Sequence, residues 1–341
     1  MKSSLLQVTS SGLHCPQGGF FIDPSTPVER AVLTHAHADH ARPGSRRTLS
    51  ALPGRPLIEM RLGGESEHEF LRYGETRSLG GVRVSLHPAG HMLGSAQVRL
   101  EYRGEIAVVT GDYKTQPDPT CEDWQPVRCN HLVTESTFGL PVYRWPPPDD
   151  VFAEINAWWR SSAAEGKCCL LYGYAVGKAQ RLLAGLDETI GPIFSHGAVE
   201  KGNQAYRRAG VRLPPTRPVS EMPADHDWRG AMVLAVPSAH GTSWIRRFGT
   251  VSTAMASGWM AVRGTRRRRA VDRGFVLSDH VDWAGLLSAI QQTSAETVWV
   301  SHGQTATVAR YLNELGYDAS PVALDVRSME EDDAATPTTR P

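Results

Sequence analysis

The sequence has no excess of either charge: in 341 residues, 36 Lys and Arg stand against 36 Asp and Glu, and the formal net charge is zero. A chain-wide basic surface for coating nucleic acid is thereby excluded, as is an acidic one for a basic partner. There is no apolar run near the roughly 18 residues of a membrane span, and the start, MKSSLLQVTSSGLHCP, has no long apolar core before a cleavage site. A membrane partner is not expected, and a cytoplasmic location is. Cysteine is scarce: Cys15, Cys121, Cys129, Cys168 and Cys169 are odd in number and form no C-x-x-C, which argues against a disulfide framework and a thiolate zinc site. What the chain does have is 40% hydrophobic and 21% charged residues, enough for a large core under a polar surface, and 13 histidines whose placement is unusual. The length is about twice a typical domain, so one elaborate α/β domain or two domains are expected.

Up to about residue 140 the pattern is short β-branched or alternating runs broken by Gly, Pro and Asp. Strands are expected at 19–22, 30–34, 56–60, 82–87, 97–102, 106–110 and 131–134. The run Pro146-Pro147-Pro148 marks a boundary, since it cannot sit inside a helix or a central strand. Beyond it, helices expected at 149–165, 177–186, 199–209, 281–292 and 304–315 alternate with apolar runs at 168–173, 192–195, 231–236, 250–256, 274–277, 297–300 and 321–324. That rhythm predicts βαβ units and a parallel sheet. The end of the chain, 329–341, is acidic, then rich in Ala, Thr and Pro, a composition typical of disorder.

The most informative segment is Val32-Leu33-Thr34-His35-Ala36-His37-Ala38-Asp39-His40, an apolar strand running into H-x-H-x-D-H. In an extended chain residues two apart share a face, so His35, His37 and Asp39 are expected to point together while His40 needs a turn. Imidazoles with a carboxylate suit a borderline divalent ion such as Zn²⁺. Two further donors each follow an apolar strand within Gly-flanked turns, His91 in Ala89-Gly90-His91-Met92 and Asp112 in Thr110-Gly111-Asp112-Tyr113. An aspartate has two oxygens and is the natural bridge between two ions roughly 3.5–4 Å apart, the spacing used for displacement at phosphorus.

These motifs resemble the metallo-β-lactamase superfamily. Glu135 in Thr134-Glu135-Ser136-Thr137, His280 in Ser278-Asp279-His280-Val281 and His302 in Ser301-His302-Gly303 are similar to three extra motifs of its β-CASP nuclease branch. Phrases such as Gly12-Leu13-His14-Cys15-Pro16 and Gly177-Lys178-Ala179-Gln180-Arg181 resemble most the bacterial DNA-ligase-associated exonucleases. The resemblance implies an α/β fold, an αββα sandwich with an inserted α/β β-CASP cap domain: residues 1–140 and 273–328 as the catalytic domain, 141–272 as the insertion and 329–341 as the acidic tail. It implies that His35, His37 and His91 hold one Zn²⁺, that Asp39, His40 and His302 hold a second, and that Asp112 bridges, with Mn²⁺ as an alternative metal. Asp23 is similar to a family aspartate that orients a first-motif histidine from behind the metal. Glu135 and His280 would form a pair beside the scissile phosphate. There His280, kept protonated by its carboxylate neighbour, gives a proton to the leaving oxygen.

For the substrate, Ser257, Gly258 and Trp259 resemble a family loop near nucleic acid, where Trp259 could stack a base. The arginines Arg263, Arg266, Arg267, Arg268 and Arg269 concentrate cationic charge before the His280 motif, as a rim for phosphates would. Trp158 and Trp159 are expected to be packing residues. The function implied is a zinc-dependent DNA exonuclease in repair, with an ATP-dependent DNA ligase and a helicase as functional partners. A β-CASP ribonuclease shares every catalytic residue, and a histidine at position 302 resembles the RNA-processing enzymes, whereas Artemis-type repair nucleases have an apolar residue there. The inserted region and the Glu135/His280 pair argue against a small-molecule hydrolase, and the filled ligand positions argue against a non-catalytic scaffold.

Overall fold

A computed structural model describes residues 5–64, 66–262, 264 and 270–324. Arg263, Arg266–Arg269 and the tail 329–341 lie outside the described residues. The chain divides into two compact units: Met1–Pro117, Cys121–Arg144 and His280–Pro341 form the first, and Asp118–Thr120 with Trp145–Asp279 the second.

The first unit is built on two sheets. One has six strands in sequence order, β1 (Gln7–Thr9), β2 (Gly12–Cys15), β3 (Phe20–Ile22), β4 (Arg30–Val32), β5 (Arg47–Ala51) and β6 (Glu67–Leu71). The other has seven, in the order β19 (Asp318–Pro321), β18 (Thr297–Ser301), β11 (His131–Glu135), β10 (Glu105–Val109), β9 (Ala96–Tyr102), β8 (Val82–Pro88), β7 (Thr76–Leu79). Successive side chains of a strand point to opposite faces, and the sequence uses both. Ala107 and Val109 of β10 join Leu13, Ile22, Val32 and Leu49 in the core between the sheets. Val108 faces the other way, with Leu132, Val298 and Val300, against two helices.

Those helices are α5 (Trp283–Thr293) and α6 (Thr305–Glu314). In α5 the buried Leu286, Ala289, Ile290 and Thr293 follow the i, i+3, i+4, i+7 pattern of a one-sided apolar stripe. Its start is capped by Asp282, whose carboxylate accepts from the Gly285 N–H at 2.8 Å. Each fully buried Leu or Val of this sandwich stabilises it by about 1.5–3 kcal/mol.

The second unit carries a parallel six-stranded sheet ordered β14 (Arg217–Pro218), β13 (Ile193–Ser195), β15 (Met232–Ala235), β12 (Cys168–Tyr172), β16 (Val251–Ala256), β17 (Arg273–Phe275). Every residue of the central strand β12 is buried, which is what a continuous apolar run means in a sheet covered on both faces. Cys169 and Leu171 pack with side chains of α2 (Pro148–Ala164), α3 (Lys178–Ala184) and α4 (Gly197–Arg208), among them Trp159, Leu182 and Val199. Cys168, Leu170 and Tyr172 meet Phe194, Trp228 and Phe248 on the other face. Trp158 and Trp159 are packing residues as expected, their indole N–H groups donating to Ser252 Oγ at 2.9 Å and to the Gly230 carbonyl at 3.0 Å.

Some elements depart from the pattern read in the sequence. The run at 56–60 is a helix, α1 (Arg55–Leu62), because Pro56 suits the first turn and Ile58 and Leu62 share a face at i, i+4 spacing. Pro148 likewise begins α2. The last strand is Asp318–Pro321, where it pairs with β18, rather than 321–324. Because β17 pairs with β16, the second unit extends to Asp279, past residue 272.

Candidate metal centre

Strand register assembles the site. In the first sheet Ile22 pairs with Val32 and Val32 with Leu49; in the second Val109 pairs with Val133 and Glu135 with Ser301. Glu135 at the end of its strand, and Asp23, His35, Asp112 and His302 just beyond those pairs, therefore reach one edge. The two sheets are joined there by the Ala96 N–H, which donates to the Thr34 carbonyl at 2.8 Å. Gly111, at φ +57°, makes close approach possible: a Cβ on it would meet Thr34 Cβ at 2.6 Å.

The H-x-H-x-D-H segment forms a turn, contrary to the extended chain that its spacing predicts. Strand β4 stops at Val32, and a turn forms in which the Ala41 N–H donates to the His37 carbonyl at 2.8 Å. The turn separates the donors into two groups. Nδ1 of His37 lies 3.1 Å from Nε2 of His35 and 3.1 Å from Nε2 of His91. Oδ2 of Asp112 is 3.5 Å from His35 Nε2 and 3.9 Å from His91 Nε2, and one ligand atom from each of these four residues lies within 4.8 Å of the others. Around a tetrahedral zinc with bonds of about 2.0–2.1 Å, donors stand about 3.3 Å apart. The set fits a divalent ion.

The same Asp112 oxygen is 3.4 Å from His40 Nε2, which is 3.7 Å from Asp39 Oδ2. The His302 ring centroid is 6.0 Å from that of His40. Asp39 Oδ1, His40 Nε2 and His302 Nε2 are all buried and, among the described residues, have no hydrogen-bond partner. Buried polar atoms left unpaired are costly, and three together beside a shared carboxylate fit a second ion. Asp23 stands behind them: its Oδ2 is 2.7 Å from His40 Nδ1, which aims Nε2 toward Asp112. Asp23 and His302 both hold left-handed backbone, at φ +43° and +56°, sparsely populated for residues other than glycine.

Electrostatics sort the groups further. Burial, with the neighbouring His40 charge, pushes His35 well below the usual imidazole range, so it is neutral and able to donate a lone pair. Burial acts the same way on His40 but is outweighed by Asp112, Asp23 and Asp39, which hold it well above that range. Burial would raise Asp112, yet His40, His280 and His35 overcome it and keep the carboxyl ionised.

Glu135 and His280 form a pair against this set. His280 Nδ1 lies 2.9 and 2.8 Å from the two Glu135 oxygens. The Tyr113 N–H donates to Oε1 at 2.8 Å and Thr137 Oγ1 to Oε2 at 2.7 Å. Both oxygens of Glu135 are thus hydrogen-bonded, and Asp112, Glu135 and His280 each offer a ligand atom within 4.8 Å of the others.

Three contributors were not read from the sequence. Thr34 N–H and Oγ1 donate to the two oxygens of Asp23 at 2.8 and 2.5 Å. Thr137 fixes Glu135, and the buried Lys114 reaches back to the His91 loop. All are adjacent to recognised motifs, but their role depends on contacts that sequence spacing does not show. Ser257, Gly258 and Trp259 belong to the second unit. Ser257 is buried and caps a 3₁₀ turn, its Oγ accepting from the Trp259 N–H at 3.3 Å, while Trp259 is half-buried against the Phe194–Trp228 cluster.

No family model matches the chain. It is 32% identical over 318 residues to a probable DNA ligase of Opitutus terrae, covering 93% of this chain and 31% of that protein. Cleavage and polyadenylation specificity factor 73 of Drosophila melanogaster is 32% identical over 51% of this chain and 26% of its own length. Endoribonuclease YSH1 of Saccharomyces cerevisiae is 30% identical over 35% of this chain and 15% of its own length. The chain thus spans less than a third of each of these relatives. A solved structure, a protein of unknown function from Enterococcus faecalis V583, shares the fold over 88% of this chain and 80% of its own, with a TM-score of 0.57 at 10% identity. Two facing sheets flanked by helices, with histidines and aspartates gathered at one edge, define a metallo-β-lactamase fold with a parallel α/β unit inserted in its sequence. Within that superfamily the chain belongs to the β-CASP branch. Among the described residues, no helix is long and apolar enough to cross a membrane.

Proposed function

We propose that this chain is a zinc-dependent nuclease that hydrolyses phosphodiester bonds of DNA, as an exonuclease serving repair beside an ATP-dependent DNA ligase and a helicase. The observation that carries this reading is the single Asp112 oxygen that lies between the His35/His37/His91 group and the Asp39/His40 group, with Glu135–His280 packed against it. His35, His37 and His91 would hold one ion, Asp39, His40 and His302 the other, and Asp112 both. When bound, such ions supply an acidified water and offset charge on the phosphate oxygens. The protein's own part is proton delivery. Glu135 holds His280 through Nδ1, and His280 would give a proton to the departing oxygen. The likeness to a protein named a probable DNA ligase favours DNA. Such work belongs in the cytoplasm, where the five free cysteines would stay reduced.

A ribonuclease is the second reading, favoured by His302 and by the likeness to proteins named endoribonucleases. Matched 5′- and 3′-labelled single-stranded DNA and RNA, digested with metal-reconstituted protein, decide between them. Ladders from DNA alone support the first reading and from RNA alone the second, and no cleavage of either rejects both.

We assign substrate grip to Arg263 and Arg266–Arg269, with Ser257, Gly258 and Trp259. Replacing Arg266–Arg269 with Gln removes four cations, so the slope of log binding constant against log salt should flatten by up to about 3 on single strands. An unchanged slope in fluorescence anisotropy titrations would place those arginines away from the strand.

A further inference from the structure

Lys114 is 1% exposed and lies two residues beyond Asp112. Its ammonium donates to the carbonyl oxygen of Gly90 and, at 3.4 Å, to that of His91. The Cys121 thiol donates to the same Gly90 carbonyl at 3.4 Å. The backbones are equally close: the Lys114 N–H donates to the Ala89 carbonyl at 3.1 Å, and a Cβ on Gly90, at φ +73°, would meet the Lys114 carbonyl oxygen at 2.4 Å. On the other side of this loop Ser95 Oγ accepts from the N–H groups of His91 and Met92 at 3.0 and 3.2 Å. The His91 loop is therefore held by its N–H groups from Ser95 and by its carbonyls from Lys114. A buried lysine is costly to keep, and here it faces backbone carbonyls directly behind an imidazole whose Nε2 is 3.1 Å from His37 Nδ1.

We infer that Lys114 is a positioning residue for the metal centre: its ammonium clamps the Gly90 and His91 carbonyls and so sets the imidazole of His91 against His37 and Asp112. Because Asp112 and Lys114 sit on one short segment, that segment brings the bridging carboxylate and fixes the opposing histidine together. The inference rests on His91 being a metal ligand, and the experiment separates the two claims.

Zinc affinity is measured on reconstituted protein by competition with a chromophoric chelator, and the ligand field by cobalt absorption. Lys114→Met is expected to bind about 10–100-fold more weakly, the range for losing a partner behind a ligand, and to shift the cobalt bands. Lys114→Gln, which keeps an N–H donor group but not the charge, should fall between it and the parent. Adding Lys114→Met to His91→Ala should weaken binding no further than His91→Ala alone. Parent affinity with an unchanged cobalt spectrum in Lys114→Met would overturn the inference, even if the melting temperature fell. If Lys114→Met does not fold, the same result in Lys114→Gln overturns it. Should His91→Ala retain both ions at parent affinity, the assignment of His91 to the metal fails first.

Discussion

Asp112→Asn is expected to abolish hydrolysis and to lower bound zinc from two ions toward one or none. The substitution preserves shape but removes the charge that stands between His35 at 3.5 Å and His40 at 3.4 Å. Loss of a partner behind a metal ligand typically costs 10–100-fold in affinity, so loss of a shared ligand should cost more than ~100-fold. A second consequence follows from burial. The ionised Asp112 acts with Asp23 and Asp39 against burial to hold His40 in its protonated form when no metal is bound, so the variant should titrate His40 at lower pH. Metal analysis by atomic emission after gel filtration, together with turnover of a labelled oligonucleotide, reads the outcome. Two tightly bound ions with parental turnover would sink the bridging assignment.

His280→Ala is expected to lower kcat by roughly 10²–10⁴-fold while leaving zinc content near that of the parent, the range for removing a positioned proton donor. The contrast with Asp112→Asn is the informative part, since Asp112, Glu135 and His280 are close enough to have formed a metal site of their own. Glu135 already receives the Tyr113 N–H, Thr137 Oγ1 and His280 Nδ1, which leaves the pair organised around a proton. A nitrophenyl phosphodiester needs no protonation of its leaving group, so the defect should nearly vanish on it. A defect of equal size on both substrates, or loss of an ion, would assign His280 to binding or to metal instead.

Much of this site is legible in the sequence because donors at strand ends announce themselves: an apolar run, then Gly or Thr, then His or Asp, as in Val109-Thr110-Gly111-Asp112. The grouping of those donors is less so. Alternation along an extended chain would place His35, His37 and Asp39 on one face, but the turn after His37 sends Asp39 toward His40. Helix α1 reads as a strand in the sequence since Leu57-Ile58 is as apolar as a buried strand, and only its proline start and i, i+4 spacing distinguish it. Thr34, Thr137 and Lys114 are polar residues of common type, and nothing local separates them from a solvated neighbour. Their roles come from partners up to 24 residues away in sequence. The arrangement of the parallel sheet of the second unit followed from alternating helices and apolar runs, while its reach to Asp279 depended on the pairing of β17 with β16.

The donors also come from both sheets of the first unit: His35, His37, Asp39 and His40 follow β4, whereas His91, Asp112 and His302 follow β8, β10 and β18. An ion held by both groups is a cross-link between the layers of the sandwich as well as a reagent. An ion that binds only the folded form would, at a thousand times its dissociation constant, add about 4.1 kcal/mol to the stability of that form. Metal supply would then govern how long the sandwich survives, and a chain starved of its ions would lose its fold at temperatures where the loaded chain persists.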